Sequence, residues 1–339
     1  MAEPTRFTRT RLRALIGLLG GLALIVGGCS PLDEGSDSPS LGPTGDGLPG
    51  GQLTIATGGT GGVYYVLGGG LGTVIGDSVP GYSATAQETN ASVDNMQLIA
   101  SGGADIAFSL ADTAADAVEG REAFEGAPVS ACALGLLYSN YTQLVTSADS
   151  GVTSVEDLRG KPVSLGSPGS GTEVIALRIL EDAGIDPDAD IDRQQLGIDD
   201  TVAALRDGTI AAGFWSGGLP TGALTEYASS GEMVIVPTGD SAAGLQEAYG
   251  EFYVAGEIPA DSYEGQADAV STVVVPNVLV VSSEMPEDLQ RQLTAALFDN
   301  KDALAQVHPE ASNLDAATAG DLTFMDVCPG SQTYFDEQG

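Results

Sequence analysis

Two glycine-rich turns carry most of this chain's capacity for chemistry. Gly58-Gly59-Thr60-Gly61-Gly62-Val63-Tyr64-Tyr65 follows an apolar run and opens a helical pattern, and Gly166-Ser167-Pro168-Gly169-Ser170-Gly171-Thr172-Glu173 does the same further along. Glycine lets a ligand approach the backbone closely, and the free N–H groups of a helix N-terminus attract anions. Ser170-x-x-Glu173 also fits a capping box, the purely structural explanation; that role and an anion pocket built with the Ser170 and Thr172 hydroxyls can hold together. The absence of Gly-Lys-Ser/Thr excludes a P-loop, and the spacing is not that of a dinucleotide fingerprint. Ser92 and Asn95 sit at a helix start and Ser109 at a strand end. Phe214-Trp215-Ser216-Gly217-Gly218 holds the only tryptophan, which reads equally as core or as a ligand platform.

Catalysis finds little support. The single histidine, His308, precedes Pro309, and no H-E-x-x-H, C-x-x-C or G-x-S-x-G occurs. Acidic pairs such as Asp199-Asp200 are expected as solvated surface in a chain with 47 acids. No EF-hand loop is present. The expectation is therefore a binding protein with no catalytic residues, metal or cofactor. An enzyme or a sensor input domain on the same scaffold is the rival.

The elements that must position these turns alternate. Leu53–Thr57 reads as a strand, 63–75 as a helix, Ser83–Glu88 as a strand, Ser92–Ser101 as a helix and Asp105–Leu110 as a strand. Strand 163–165 then leads to helix 172–182, strand 193–196 to helix 199–206, and strand 212–215 to a further helix, with Met233–Val236 as another strand. Val273–Val275 and Val278–Val281 read as two β-branched runs split by Pro276-Asn277, before a helix over 286–301. Alternation at this spacing predicts parallel α/β layers. In Ser154–Lys161, Ser154 is expected to cap a short helix, with Asp157 at the third position and Gly160 as its left-handed end. Two glycine-rich strand-to-helix turns suggest two lobes, each presenting a helix N-terminus to one cleft, where ligands of open α/β sheets sit.

The N-terminus points outside the cytoplasm. Arg6, Arg9, Arg11 and Arg13 precede an uncharged, largely apolar run and Val26-Gly27-Gly28-Cys29. These are the marks of a secretory signal, and a cysteine after two glycines resembles a bacterial lipobox, with lipid on Cys29. An uncleaved anchor is the alternative; Pro31, Asp33 and Glu34 close the run short of the roughly 20 residues a spanning helix needs. Residues 1–28 are thus expected as signal peptide and 29–51, rich in Pro, Gly, Ser and Asp, as a flexible tether. Removing the signal takes Glu3 and four arginines from a chain of charge −35, leaving 46 acids, 8 bases and a charge of −38. Such a surface repels nucleic acid and anionic headgroups, so the only membrane contact expected is the lipid. It also suits concentrated salt, which screens self-repulsion. In an oxidising compartment Cys132 and Cys328 form a disulfide; two buried free thiols are the alternative.

The ordered set of fragments resembles the TAXI family of TRAP-transporter solute-binding proteins. The matching residues are Leu53–Gly59 with Gly62–Tyr65, Ser92-Val93-Asp94-Asn95, Ala104–Phe108, Ser167–Glu173, Phe252-Tyr253 with Ile258-Pro259, Pro276 within Val275–Val281, and Pro329-Gly330. The resemblance implies a two-lobed, type II periplasmic-binding-protein-like α/β fold, each lobe a mostly parallel sheet flanked by helices, with a ligand cleft between. It implies lobe I over 52–140 plus 277–335 and lobe II over 141–276, a return that would bring Cys328 near Cys132. It implies a monomer that captures a small organic acid or amino acid, glutamate-like or a 2-oxo dicarboxylate, and delivers it to a TRAP permease. An ABC-type receptor of the same fold is the alternative.

The residues expected at the ligand are Thr60, Gly62, Val63, Tyr64, Asn95, Ser109, Ser170, Gly171, Thr172, Trp215 and Ser216. Thr172→Ala and Tyr64→Ala are expected to weaken binding and leave the fold intact. The chain departs from the family at Leu110-Ala111-Asp112, where Gln-Ser-Asp is common, and at Cys328, where histidine is common. No Arg or Lys lies in either turn, so N–H groups, helix termini and hydroxyls would hold a carboxylate; a neutral or zwitterionic amino acid would suit the pocket equally.

Overall fold

In the computed structural model, residues 50–230 and 232–338 are described. The expected signal segment, Cys29 and the tether through residue 49 lie outside the described residues. Gly51, the expected last tether residue, is instead the first of a strand, its N–H donating to the Gly81 carbonyl at 3.0 Å.

The chain opens as β1 (Gly51–Ala56), α1 (Val63–Ser78), β2 (Tyr82–Gln87), α2 (Ser92–Ser101), β3 (Ile106–Leu110) and α3 (Ala111–Glu119). The long β4 (Ala131–Ser147) follows, then β5 (Pro162–Ser164), α4 (Gly171–Asp182), β6 (Asp192–Gln194), α5 (Ile198–Arg206) and β7 (Ala212–Gly217). Next come α6 (Gly222–Ala228), β8 (Met233–Val236), α7 (Ala242–Tyr249) and β9 (Val254–Ile258). The last elements are β10 (Val270–Ser282), α8 (Glu287–Asp299), α9 (Lys301–Val307) and α10 (Pro329–Gln338).

All ten strands join one sheet in the order β2-β1-β3-β10-β4-β7-β5-β6, with β8 on β4 and β9 on β10. One arm is parallel, β1 against β2 and β3; the other is parallel too, β5 against β6 and β7. Parallel neighbours need crossovers, and the glycine-rich turns open two of them, α1 and α4. The centre differs from the mostly parallel expectation, because β4 and β10 run antiparallel to every strand they pair with; an isolated bridge between Ala133 and Val327 is parallel. β4 pairs with β10 up to Tyr141 and with β7 from Tyr141 onward. β10 pairs with β9 up to Val274 and with β3 from Asn277. These two long strands therefore tie the arms into one sheet and exchange partners near its middle.

β3, inside its arm, is buried at every residue, as a parallel strand covered on both faces is, whereas the edge strand β2 exposes every second residue. Ile55, Leu71, Phe108, Leu134 and Leu293 form a core on the β1 arm, with a second built from Met96, Ala107, Ala114 and Val280. Leu144, Leu165, Ile175, Ile179 and Phe214 form a core on the other arm, and Val202, Leu224 and Tyr227 belong to a fourth.

Three sequence expectations are corrected. The runs around Pro276-Asn277 are one strand; proline lacks the ladder donor, and a register shift between Pro276 and Val278 absorbs it. Near Glu156–Leu158, a 3₁₀ turn, the Ser154 side chain does not cap. Instead the Asp157 carboxylate accepts from the N–H groups of Thr153 (2.9 Å) and Ser154 (3.1 Å), and Gly160 takes φ +74°. Asp105 lies just before β3, its carboxylate accepting from the Thr54 N–H at 2.8 Å. Cys132 and Cys328 are joined as a disulfide across a sequence separation of 196. No helix among the described residues is long and apolar enough to cross a membrane.

Candidate functional site

Both glycine-rich turns face one cavity. Its walls include Gly62, Val63 and Tyr64 from the first turn and Ser170, Gly171 and Thr172 from the second, and the space between them is small, about 50 Å³. Trp215 and Ser216 at the end of β7 complete the expected set. The two sides approach closely. A Cβ on Gly171 would meet the Ser92 hydroxyl at 2.7 Å, one on Gly62 would meet the Trp215 ring at 3.2 Å, and the Asp94 N–H donates to the Gly169 carbonyl at 3.2 Å. Glycine at 171 is thus a packing requirement of this junction.

Four helices begin at the cavity: α1 after Gly62, α2 after Ala91, α4 after Ser170 and α5 after Gly197. The first N–H groups of a helix have no intrahelical partner and carry the positive end of its dipole. α1 opens on Gly62 without a side-chain cap or an acid in its first turn. At α4 the Ser170 hydroxyl accepts from the Glu173 N–H at 3.1 Å, while the Glu173 carboxylate accepts from the Gly169 N–H at 2.8 Å and pairs with Arg193. Ala91 adds strain: φ 74° and ψ −145° are unusual for a residue with a Cβ. Its N–H to the Thr89 hydroxyl (3.0 Å) and its carbonyl from the Asn95 N–H (2.8 Å) hold it there.

A chain of hydrogen bonds crosses the cavity floor from one arm to the other. The Tyr64 hydroxyl donates to Asn277 Oδ1. Asn277 Nδ2 donates to the Tyr138 carbonyl and to Asn140 Oδ1, each at 2.9 Å. Asn140 Nδ2 donates to the Ser216 carbonyl at 3.1 Å, and the Ser216 N–H donates to Thr172 Oγ1 at 3.1 Å. Asn140 and Asn277 stand where β4 and β10 exchange partners, so amide side chains satisfy backbone groups beside the Pro276 register shift. Burial holds the Tyr64 phenol protonated, its pKa raised above the ordinary value, and its ring stacks on Phe108 at 5.0 Å.

Three expected residues fall elsewhere. Thr60 is exposed at the tip of its turn, outside the cavity lining. Asn95 is fully buried and used up: Nδ2 donates to the Thr57 and Phe108 carbonyls at 2.7 and 2.8 Å, and Oδ1 accepts from Thr89. It locks α2 to the ends of β1 and β3. Ser109 is buried in β3 and donates to the Leu110 carbonyl at 3.0 Å. Lining residues that the sequence reading did not place at the ligand include Ser92, Tyr138, Asn140, Ser167 and Ile198. Tyr138 and Asn140 share an alternating-residue spacing on β4, but β4 itself was not read from the sequence, so nothing flagged them.

Among the described residues, no Asp, Glu, Lys, Arg or His lines the cavity. Arg178, five residues beyond the second turn on α4, is turned away into a buried cluster. Its Nη2 lies 2.6 Å from Asp116 and its Nη1 3.5 Å from Asp112, and it donates to the Tyr253 hydroxyl at 2.8 Å. The Tyr253 hydroxyl donates in turn to Asp112 at 2.5 Å. Burial raises the Asp112 pKa, with Arg178 and Tyr253 acting against that rise. Thus Asp112, at the family departure, binds the start of α3 to α4 and to the Tyr253 segment.

Residues 55–339 match the model of the NMT1-like family. The chain belongs to the NMT1-like family. Among solved structures, this NMT1-like chain resembles XAC2383 from Xanthomonas citri, solved bound to ATP, at 14% identity and TM-score 0.50, over 84% of this chain and 94% of that one. It also matches the periplasmic aliphatic sulphonate binding protein SsuA from Escherichia coli (14% identity, TM-score 0.43, 84% and 82% covered). A putative L-cystine ABC transporter protein from Listeria monocytogenes matches at 16% identity and TM-score 0.48, with 76% and 93% covered. At such identities the likeness is one of fold, and the fold is the α/β periplasmic-binding-protein type expected from the sequence.

Proposed function

We propose that this NMT1-like chain is a solute-binding protein of a membrane transporter, held outside the cytoplasmic membrane by lipid on Cys29. Its cavity captures a small organic acid or amino acid. The observation that supports this most strongly is the meeting of α1 and α4, from opposite arms of the sheet, at one cavity walled by hydroxyls, amides and aromatic rings. Backbone N–H groups and hydroxyls of that kind bind a carboxylate without a cationic side chain. The walls offer hydroxyls and amides but no base beside a nucleophile, which favours capture over turnover.

The lobes divide at 140/141 and 276/277, with the partner exchange of β4 and β10 as hinge. Opening would separate the Tyr64 side from the Thr172 side, as in hinge closure of binding proteins. Of the two membrane partners, an ABC-type importer agrees with the L-cystine ABC transporter protein that shares the fold; the TRAP permease rests on the sequence resemblance alone. Uptake by proteoliposomes carrying the cognate permease separates them: ATP drives the first and an ion gradient the second.

The test of the site is calorimetric titration with organic acids and amino acids. Gly59→Trp places a ring in the cavity without a clash at Cβ, since nothing lies within 4 Å of that position. Loss of binding in this variant supports the reading, and full affinity removes it. Tyr64→Ala is not the benign probe that sequence suggested, because Tyr64 is 8% exposed and packs in the core. Truncating such a ring costs about 3–5 kcal/mol. Thr172→Ala likewise strips the acceptor from the buried Ser216 N–H.

A further inference from the structure

One carboxylate joins the two arms of the molecule from outside the cavity lining. Glu310, 5% exposed, accepts from the Leu219 N–H with one oxygen and from Asn313 Nδ2 at 2.6 Å with the other. Its segment, the 3₁₀ turn Pro309–Asn313, is fixed to the β1 arm, because Ala311 is wholly buried in the core that holds Leu71 and Leu293. Leu219 is fixed to the other arm through Thr221, whose N–H donates to the Tyr263 hydroxyl at 3.0 Å and whose Oγ1 accepts from Trp215 Nε1 at 2.9 Å. The two segments fit closely: a Cβ on Gly218 would meet Glu310 Cγ at 2.8 Å and the Tyr138 ring at 2.9 Å.

The position of this contact gives it leverage. Leu219 lies two residues past Gly217, which pairs with Tyr141 where β4 changes partner, the hinge of the lobe division proposed above. A contact beside a hinge sets the angle between the bodies it joins, and a small slip there widens at the far rim. The Arg178 cluster spans the same division through α3 and α4; of the two, Glu310 is the one that acts on the loop after β7, whose Gly217 and Gly218 wall the cavity. A further crossing, from the Asp94 N–H to the Gly169 carbonyl at 3.2 Å, joins α2 to the second glycine-rich turn and shares no residue with the Glu310 contact.

Resting on the two-lobed solute-binding reading above, we propose that Glu310 is the positioning residue of closure: through the Leu219 N–H it holds the lobes together over the cavity without touching the solute. Hydrogen bonds to a charged acceptor are the stronger kind, and in an open form water replaces the carboxylate at Leu219. Removing the acceptor therefore penalises the closed form and leaves the open form unchanged.

The test is amide hydrogen exchange read by NMR on the solute-free protein, in the wild type, Glu310→Ala, Glu310→Gln, Gly218→Ala and Gly171→Ala. The reporter is the Asp94 N–H, and amides of β3 and β7 report global unfolding. In Glu310→Ala the Asp94 amide is expected to exchange about tenfold faster, the effect of losing one hydrogen bond to a charged group, while the strand amides keep their protection. Gly218→Ala forces the two segments apart from the other lobe and is expected to act alike. Glu310→Gln keeps an oxygen acceptor and is expected to stay within about twofold of wild type. Asp94 exchange within about twofold of wild type in Glu310→Ala, or in Gly218→Ala should Glu310→Ala fail to fold, overturns the proposal. So does equal acceleration of the Asp94 and strand amides, since Glu310 would then serve global stability alone, and so does a Glu310→Gln variant that opens as far as Glu310→Ala. Gly171→Ala separates this from the lobe reading, because its Cβ would meet Leu110 at 2.5 Å and the Ser92 hydroxyl at 2.7 Å across the junction. If Gly171→Ala speeds Asp94 exchange and the Glu310 and Gly218 variants do not, the role of Glu310 falls and the lobes still open. If none of the three does, both fall.

Discussion

Breaking the Cys132–Cys328 bond gives a clean measure of what holds the C-terminal segment on the molecule. The bond closes a loop spanning 196 residues, from near the start of β4 to the residue before α10. Chain-entropy reasoning assigns about 5 kcal/mol to a loop of that length. The contacts around the bond survive reduction: the Cys328 N–H donates to the Ala133 carbonyl at 2.9 Å, and Thr294 and Ser331 hydroxyls meet at 2.7 Å. The native state therefore loses little, and the effect acts on the unfolded chain. For a body of this size, roughly 2 °C per kcal/mol places the reduced protein about 10 °C lower in melting temperature. The assay compares calorimetric melts of oxidised protein, reduced protein and the Cys132→Ala/Cys328→Ala double variant at one pH and salt concentration. Equal melting temperatures for oxidised and fully reduced protein would refute the reasoning.

Three other perturbations test separate parts of the account. Arg178→Met leaves Asp112 and Asp116 facing each other inside the protein, both buried; it is expected to cost about 3–5 kcal/mol in urea titrations, and adding Asp112→Asn and Asp116→Asn should recover much of that loss. Burial raises the Glu310 pKa, so the folded state binds its proton more tightly than the unfolded one. Stability from this group is complete below the unfolded value and is lost as pH rises through the folded one. Denaturation of the wild type against Glu310→Gln between about pH 4 and about pH 8 should show the wild type falling behind the variant with rising pH; a constant gap contradicts the shift. A formal charge of −35 predicts that the melting temperature rises between dilute buffer and molar NaCl, where the Debye length shrinks to about 3 Å; a flat response removes salt adaptation as the reason for the acidic surface.

The sequence was most readable where local chemistry and tertiary context agree. α2 runs over Ser92–Ser101 as its apolar spacing predicts, and both glycine-rich turns lead into helices. β4 was missed because Ala131–Ser147 lacks polar alternation: it lies in the middle of the sheet and is covered on both faces. β10 was split because the Pro276 signal for a break is local, while the side chains of Asn277 and Asn140 that bridge it come from different strands. The same limit hid Tyr138 and Asn140 from the site. It made Asn95 look available when its amide is spent on the Thr57 and Phe108 carbonyls, contacts set by the packing of α2 against β1 and β3. That no Arg or Lys lies in either turn is plain from the sequence, but the carboxylate partners of Arg178 lie far away in sequence on α3.

The central claim is that one cavity between the α1 and α4 N-termini holds the solute. A crystal structure of the protein with its tightest-binding organic acid tests this most directly. The account predicts a solute carboxylate at the N–H groups of Val63–Tyr64 or Gly171–Thr172. Solute density elsewhere on the molecule, with this cavity filled only by water, would contradict it.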